Sequence, residues 1–358
     1  VSLSDIRQKI DALDEKLLAL LNERAELAHL VGVEKRAHQV EIYAPEREEQ
    51  VLRALAEKNR ALGGRLSKHA IRAIYREIMS ASLALEKDLG IAFFGAEAGE
   101  THLAARQKFG SSVRYQPRAS IPEVFSAVAE GGADYGVVPI GSTLDGAVGD
   151  TLDMFVDSEL RICAQIVVPL EAHLLGKIPL SEMRRIYVPA QHLNATAGWL
   201  RENLPQAEVF EVPESLRAAE MAAAEPGAGA VGHKLAAEHC GLQVIAPSIQ
   251  GDTEHRARYL VLGPTGSPPT GLDRTALMFR VHDTPGALYH ALEPFHRRRL
   301  GMSKIESRPD REKPFEYFFF ADIDGHSADH EIQSALDELQ THCSVVKVLG
   351  TYPRLPAG

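Results

Sequence analysis

Apolar residues at the start of the chain advance in alternating steps of four and three: Ile6, Ile10, Leu13, Leu17, Leu20, Leu27 and Val31. This heptad register predicts one long helix from near Ser4 to about Arg36, with Ser2 or Ser4 as its N-cap. At ~1.5 Å per residue such a helix spans roughly 50 Å. That is more than a small monomeric bundle covers, so a dimer that buries the seam is expected. Two positions of the seam are cationic. The step from Leu20 to Leu27 passes Arg24, and the turn after Val31 reaches Lys35, on the same face as Arg24. Cations held in a helix interface need an anion. The face therefore reads as half of a site for a small, multiply charged acid.

The helical rhythm continues to about residue 88. A second helix is predicted from Pro45, a favoured first position, with Arg47, Glu48, Val51, Leu52 and Leu55. A third follows Ser67 and carries the stripe Ile71, Ile74, Ile78, Ser82 and Leu85, with Glu86 at its end. Near Gly90 the pattern changes to short β-like runs alternating with helical stretches, including 91–94, 135–140, 186–188 and 259–262. Such alternation predicts parallel sheets, in two lobes. Residues 263–271 form a turn-rich linker. The remainder reads strand, helix, strand, strand, helix, strand, the order of a split βαβ, ferredoxin-like unit. The expected organisation is a helical domain over 1–88, an α/β domain over 89–268 and an α+β domain over 269–358.

Composition narrows the class of partner. A hydrophobic fraction of 45% and a net charge of −10 describe a globular protein without the basic excess that nucleic acid requires. Cys163, Cys240 and Cys343 stand singly, without metal-ligand spacing, as in reduced cytoplasmic proteins. No membrane span or signal peptide is visible, and neither a metal nor a cofactor is expected.

With these residues in view, the first 88 positions resemble the all-helical chorismate mutase family. The order of segments is similar to that of the P-proteins, which join chorismate mutase to prephenate dehydratase and an ACT regulatory domain. The mutase reaction is pericyclic and needs no nucleophile. The protein must hold the folded dicarboxylate and stabilise charge on the ether oxygen. The resemblance implies that Arg24 and Arg47 grip carboxylates and that Arg7 reaches in from a second subunit. Lys35 and Glu86 would flank the ether oxygen, Glu48 would accept from the ring hydroxyl, and Ser82 would assist at a carboxylate. Glu86 donates a hydrogen bond only when protonated, which predicts a mutase that weakens as pH rises. Ala44 stands where many relatives carry a charge.

The α/β segment is similar to prephenate dehydratases in length and spacing, with altered motifs. Their Thr-Arg-Phe reads Ala257-Arg258-Tyr259, and the asparagine before it is His255. Glu-Asn-Ser-Thr-Glu-Gly reads Gly141-Ser142-Thr143-Leu144-Asp145-Gly146. Gly-Pro-Glu-Gly-Thr-Phe has become Gly95-Ala96-Glu97-Ala98-Gly99-Glu100, and Ser-His-Pro-Gln has become Val188-Pro189-Ala190-Gln191. Losing one proton donor costs about 10²–10⁴-fold in rate, so the cleft is expected to hold a rewritten active site. A working dehydratase that makes phenylpyruvate, a prephenate decarboxylase and a non-catalytic sensor are the alternatives. The groups to follow are Glu97, Thr143, Asp145, Gln191, His192, His255 and Arg258.

The last segment resembles ACT modules. Asp283-Thr284-Pro285-Gly286-Ala287-Leu288-Tyr289 opens a helix at a glycine, and Lys304-Ile305-Glu306-Ser307-Arg308-Pro309 follows at the family's spacing. The resemblance implies a phenylalanine effector bound by Gly286, Ala287, Leu288, Glu306, Ser307 and Arg308. The expected protein is a cytoplasmic homodimer or homotetramer acting on chorismate and prephenate.

Overall fold

The computed structural model of the chain describes residues 2–38, 43–143, 146–251, 255–282, 284–311, 313 and 316–354. Three helices open it: α1 (Leu3–Ala37), α2 (Pro45–Ala61) and α3 (Lys68–Glu86). Ser2 and Asp5 close a capping box on α1, with each side chain bonded to the other's backbone N–H. Pro45 begins α2, and the Ser67 hydroxyl caps α3 by accepting from the Ala70 N–H. At ~1.5 Å per residue α1 is nearly twice as long as α3. Its apolar seam overhangs, and Ile6, Ile10, Leu13, Leu17, Leu20, Leu27 and Val31 all stand exposed in the single chain.

The packed side of α1 borders this seam, through Ala25, Ala28 and Gly32. Gly32 is its one buried residue among those described, and a Cβ built there would lie 2.8 Å from Glu86 Cγ. Only a residue without a side chain lets α1 cross α3 this closely. Arg24 and Lys35 sit on that same side of the helix and so face α3.

The central α/β part has two lobes. Lobe one contains β1 (Gly90–Phe94), α4 (Glu100–Phe109), β2 (Arg114–Arg118), α5 (Ile121–Ala129), β3 (Tyr135–Ser142), β4 (Gly146–Ala147), α6 (Gly149–Met154) and β5 (Arg161–Pro169). Lobe two contains β6 (His173–Gly176), β7 (Arg185–Pro189), α7 (Ala190–Asn203), β8 (Glu208–Val212), α8 (Ser215–Ala224), β9 (Ala228–Gly232), α9 (Lys234–Cys240) and β10 (Gln243–Ala246). The chain then returns to lobe one as β11 (Arg256–Gly263). The sheet orders are β2-β1-β3-β11-β5 and β10-β6-β9-β7-β8.

These sheets are mixed, where α/β alternation suggested parallel ones. β1 is parallel to β2 and β3, but β11 runs antiparallel to both β3 and β5. The direction follows from connectivity. β5 leaves lobe one and β11 re-enters it, so the pair must run in opposite senses. The two crossings are thereby hydrogen-bonded side by side where the lobes meet.

The C-terminal part is a small α/β domain: β12 (Asp273–Val281), α10 (Ala287–Arg297), β13 (Met302–Pro309), β14 (Tyr317–Asp324), α11 (His330–His342) and β15 (Cys343–Pro353), in the order β13-β14-β12-β15. One face of its sheet packs on its own helices through Leu277, Phe279, Ala291 and Leu336. The other shares a core with lobe one, where Met278, Phe318, Phe320 and Tyr352 meet Ile140, Phe155 and Leu260. Among the described residues no helix is long and apolar enough to cross a membrane.

Candidate functional site

Helices α1, α2 and α3 enclose a cavity of about 310 Å³. Six of the seven residues named for the mutase reaction line it: Arg24, Lys35, Arg47, Glu48, Ser82 and Glu86. Arg7 is exposed far up the overhanging half of α1 and does not line it in the single chain. Arg24 is fixed by α3, because its Nη1 donates to Ser82 Oγ at 2.6 Å and that hydroxyl in turn donates to the Ile78 carbonyl at 2.8 Å. Ser82 thus holds the arginine as an acceptor and commits to Ile78 the proton it would otherwise offer a ligand. Glu86 is anchored by Arg36, which donates to its carbonyl, while its Oε2 is buried with no partner among the described residues. Burial raises the Glu86 carboxyl above the usual carboxylate range, against the pull of Lys35, Arg36 and Arg24.

Two cations in this cavity escaped the sequence reading. Arg76 lines it with a buried Nε that has no partner among the described residues, and burial holds its pKa down. Its neighbour Arg72 is spent on Glu49, at 2.9 and 3.1 Å. Lys108 comes from α4 of the central domain and reaches Glu48 Oε2 at 3.2 Å. The stripe on α3 could have flagged Arg76, but no periodicity within the helical domain points to Lys108.

The second cluster lies where lobe one meets lobe two. Glu100, the first residue of α4, sends Oε1 across the cleft to accept from Gln191 Nε2 and from the Ser215 N–H, both at 3.2 Å. Gln191 Nε2 also lies 3.5 Å from His192 Nε2. Burial depresses His192 to about 4, helped by His233, His255 and His173 and opposed by Glu100, so its imidazole is neutral near pH 7. Of the expected candidates Gln191 and His192 meet here, whereas Glu100 and His233 are additions.

The other candidates sit elsewhere. Glu97 is exposed at the turn before α4, and Thr143 is tied to β11, its hydroxyl accepting from the Arg256 N–H at 3.0 Å. Asp145 lies outside the described residues. Arg258 turns to the C-terminal sheet, where Nη2 donates to Asp322 Oδ2 at 2.6 Å and to the Tyr352 hydroxyl at 2.9 Å. β-Strand alternation explains this: Ala257 and Tyr259 pack in the lobe-one core while Arg258 points the opposite way.

The turn leading into Glu100 is strained. Ala98 has φ +62°, a conformation that favours glycine, and its N–H donates to His102 Nδ1 at 2.8 Å. Ala98→Gly is expected to raise stability by a few tenths to about 1 kcal/mol, read as a higher denaturation midpoint.

In the C-terminal domain Gly286, Ala287 and Leu288 line a cavity of about 340 Å³ with Thr284, Tyr289 and Phe319. Glu306 and Lys304 instead line a separate cavity against β3 and β11. Arg308 binds Asp153 of α6 at 3.1 and 3.2 Å, and Ser307 is exposed.

Residues 6–87 match the family model of chorismate mutase type II, and residues 91–267 match that of prephenate dehydratase. A bifunctional chorismate mutase/prephenate dehydratase of Aquifex aeolicus is 40% identical over 354 residues, covering 98% of each chain. The chain belongs to the bifunctional chorismate mutase/prephenate dehydratase family. The Stutzerimonas stutzeri member of this family is 36% identical over 359 residues, again covering 98% of each chain. Among solved structures, the prephenate dehydratase of Arthrobacter aurescens in complex with L-Phe superposes with a TM-score of 0.69 and 28% identity, over 75% of this chain and 92% of that one. Such extended likeness to bifunctional enzymes overturns the expectation of a rewritten second site that the altered motifs had suggested. In the altered 95–100 motif Glu100 counts only as a departure, whereas in the structure its carboxylate lies in the cleft.

Proposed function

We propose that this chain catalyses two consecutive steps. The helical cavity rearranges chorismate to prephenate, and the cleft of the central domain converts prephenate to phenylpyruvate. The observation that carries the first step is the cavity itself, with Arg24, Lys35, Arg47 and Arg76 around a half-buried Glu86. Its guanidinium groups suit two carboxylates. Lys35 and a protonated Glu86 would donate to the ether oxygen as the C–O bond breaks and the new C–C bond forms, with no net proton change.

Glu86 sets the pH dependence of that step. Its raised pKa keeps the donating, protonated form to higher pH than an ordinary carboxyl would. Activity should be full below that pKa and fall as pH rises through it. Glu86→Gln donates at any pH and is expected to flatten the kcat/KM profile between pH 5 and 9. A flat wild-type profile would contradict the assignment.

In the second step prephenate loses CO₂ and its ring hydroxyl, and one proton goes to that hydroxyl to release water. The ring becomes aromatic and phenylpyruvate remains. Glu100, Gln191 and neutral His192 are the groups proposed to bind and orient prephenate and to manage this proton. The lengthwise likeness to bifunctional enzymes supports dehydration. Glu100→Ala should abolish prephenate consumption and leave chorismate consumption unchanged. Equal loss of both would point to a folding defect, and loss of neither would remove Glu100 from the site.

The C-terminal domain, over 269–358, is proposed to be a ferredoxin-like ACT module that takes phenylalanine beside Gly286, Ala287 and Leu288. Support comes from its strand order and from the L-Phe complex of the similar Arthrobacter protein. Absence of heat on titrating phenylalanine would refute it. The exposed seam of α1 is proposed to pair with a second copy, which would bring Arg7 to the neighbouring cavity. Light scattering that found a monomer would refute this pairing.

A further inference from the structure

The central domain reaches into the helical cavity. Lys108 stands in the last turn of α4, and its Nζ lies 3.2 Å from Glu48 Oε2, with only 17% and 13% of the two side chains exposed. Both line the cavity, as does Ala44. Three contacts fix where the end of α4 sits. Gly110 approaches α3 so closely that a Cβ on it would lie 2.5 Å from Ser80 Cβ. The Ser112 N–H donates to Ser80 Oγ at 3.0 Å, and the Ser111 N–H donates to Glu77 at 3.1 Å. Tyr43, just before α2, packs on Phe109 of the same turn with ring centroids 4.9 Å apart, and Lys108 lies over the Tyr43 ring at 5.7 Å. The lysine is thus held from both sides, by a docked helix and by a buried aromatic ring.

We propose that Lys108, supplied by the dehydratase domain, is a positioning residue of the mutase site that holds Glu48 for the substrate's ring hydroxyl. A carboxylate accepting from a hydroxyl needs one oxygen aimed at it. An ammonium on the other oxygen fixes that aim and offsets the cost of burying the charge. Lys108 also adds a cation to a cavity that must take a doubly anionic substrate. The mutase of this chain is accordingly completed by its second enzyme, and the two sites share helix α4. Its last turn carries Lys108, and its first residue is Glu100.

This inference rests on the mutase reading above, and the test separates the two. In the full-length chain with chorismate as substrate, Lys108→Met is expected to raise KM about ten- to hundred-fold. The hydroxyl contact is made in ground and transition states alike, so kcat should change much less. Lys108→Arg should recover most of the loss. Prephenate consumption by the same Lys108→Met preparation should match the wild type, because Lys108 lies outside the second cleft. A merely structural role would reduce the active fraction, lowering apparent kcat with KM unchanged, and that pattern overturns the proposal. So does a Lys108→Met enzyme indistinguishable from wild type. A wild-type chain that does not consume chorismate overturns the mutase reading, and the role of Lys108 falls with it.

Discussion

Arg24→Ala is expected to lower kcat/KM for chorismate by about 10²-fold or more and to leave prephenate consumption at the wild-type level. Truncating one partner of a buried, hydrogen-bonded charge pair costs roughly 2–5 kcal/mol, and about 1.4 kcal/mol corresponds to tenfold in rate. The size of the effect follows from how the arginine is held. Ser82 accepts from one Nη at 2.6 Å and is itself committed to the Ile78 carbonyl, so the remaining guanidinium donors have one direction to offer. Arg24→Lys keeps the charge but loses the planar fork, and it should recover little. Ser82→Ala should give a smaller loss, because it frees the arginine without removing it. Unchanged kcat/KM in Arg24→Ala would place the substrate carboxylate elsewhere.

The second large effect concerns stability. Arg258, Asp322 and Tyr352 form a closed triad: the guanidinium donates to both partners, and the tyrosine hydroxyl donates to Asp322 Oδ1 at 3.3 Å. The triad lies at the core shared by lobe one and the C-terminal sheet, with Asp322 only 9% exposed. Arg258→Ala leaves that carboxylate without its cation, a loss of roughly 3–5 kcal/mol when a buried pair is broken from one side. Denaturant unfolding should therefore show a large drop in midpoint, with KM for prephenate unchanged. The double variant Arg258→Met, Asp322→Leu removes the charge from both sides and should recover much of the loss. A raised KM with unaltered stability would mean that Arg258 contacts substrate.

Much of the fold was legible because local chemistry repeats. The heptad steps, Pro45 and Ser67 set the three helices, and Ser2 with Asp5 caps the first. The charged residues that line the helical cavity were legible for the same reason, since charges that interrupt an apolar stripe stand out against its period. What escaped depends on docking between segments remote in sequence. Gly32 looks like an ordinary helix glycine until α3 crosses it at Glu86. Lys108 looks like a solvated end-of-helix lysine until Gly110 seats α4 on Ser80. Arg258 is a largely buried cation and needs an anion, which it has. That anion is Asp322, supplied by the neighbouring domain.

The same limit explains the second cleft. Motif comparison registers a lost hydroxyl at Ala257 at once, because the residue type changes in place. The place of the Glu100 carboxylate in the cleft becomes visible only when lobe two meets it through Gln191 and Ser215. A side chain's worth in a cleft between two lobes is set by both of them, and the sequence displays them one at a time.

The most direct test of two working sites in one chain is to supply the full-length protein with chorismate alone and follow products by mass and ultraviolet absorption. Prephenate should rise and then fall as phenylpyruvate and CO₂ accumulate, with the summed organic products equal to the chorismate consumed. Prephenate that persists, or a decarboxylated product that retains its hydroxyl, would contradict the account.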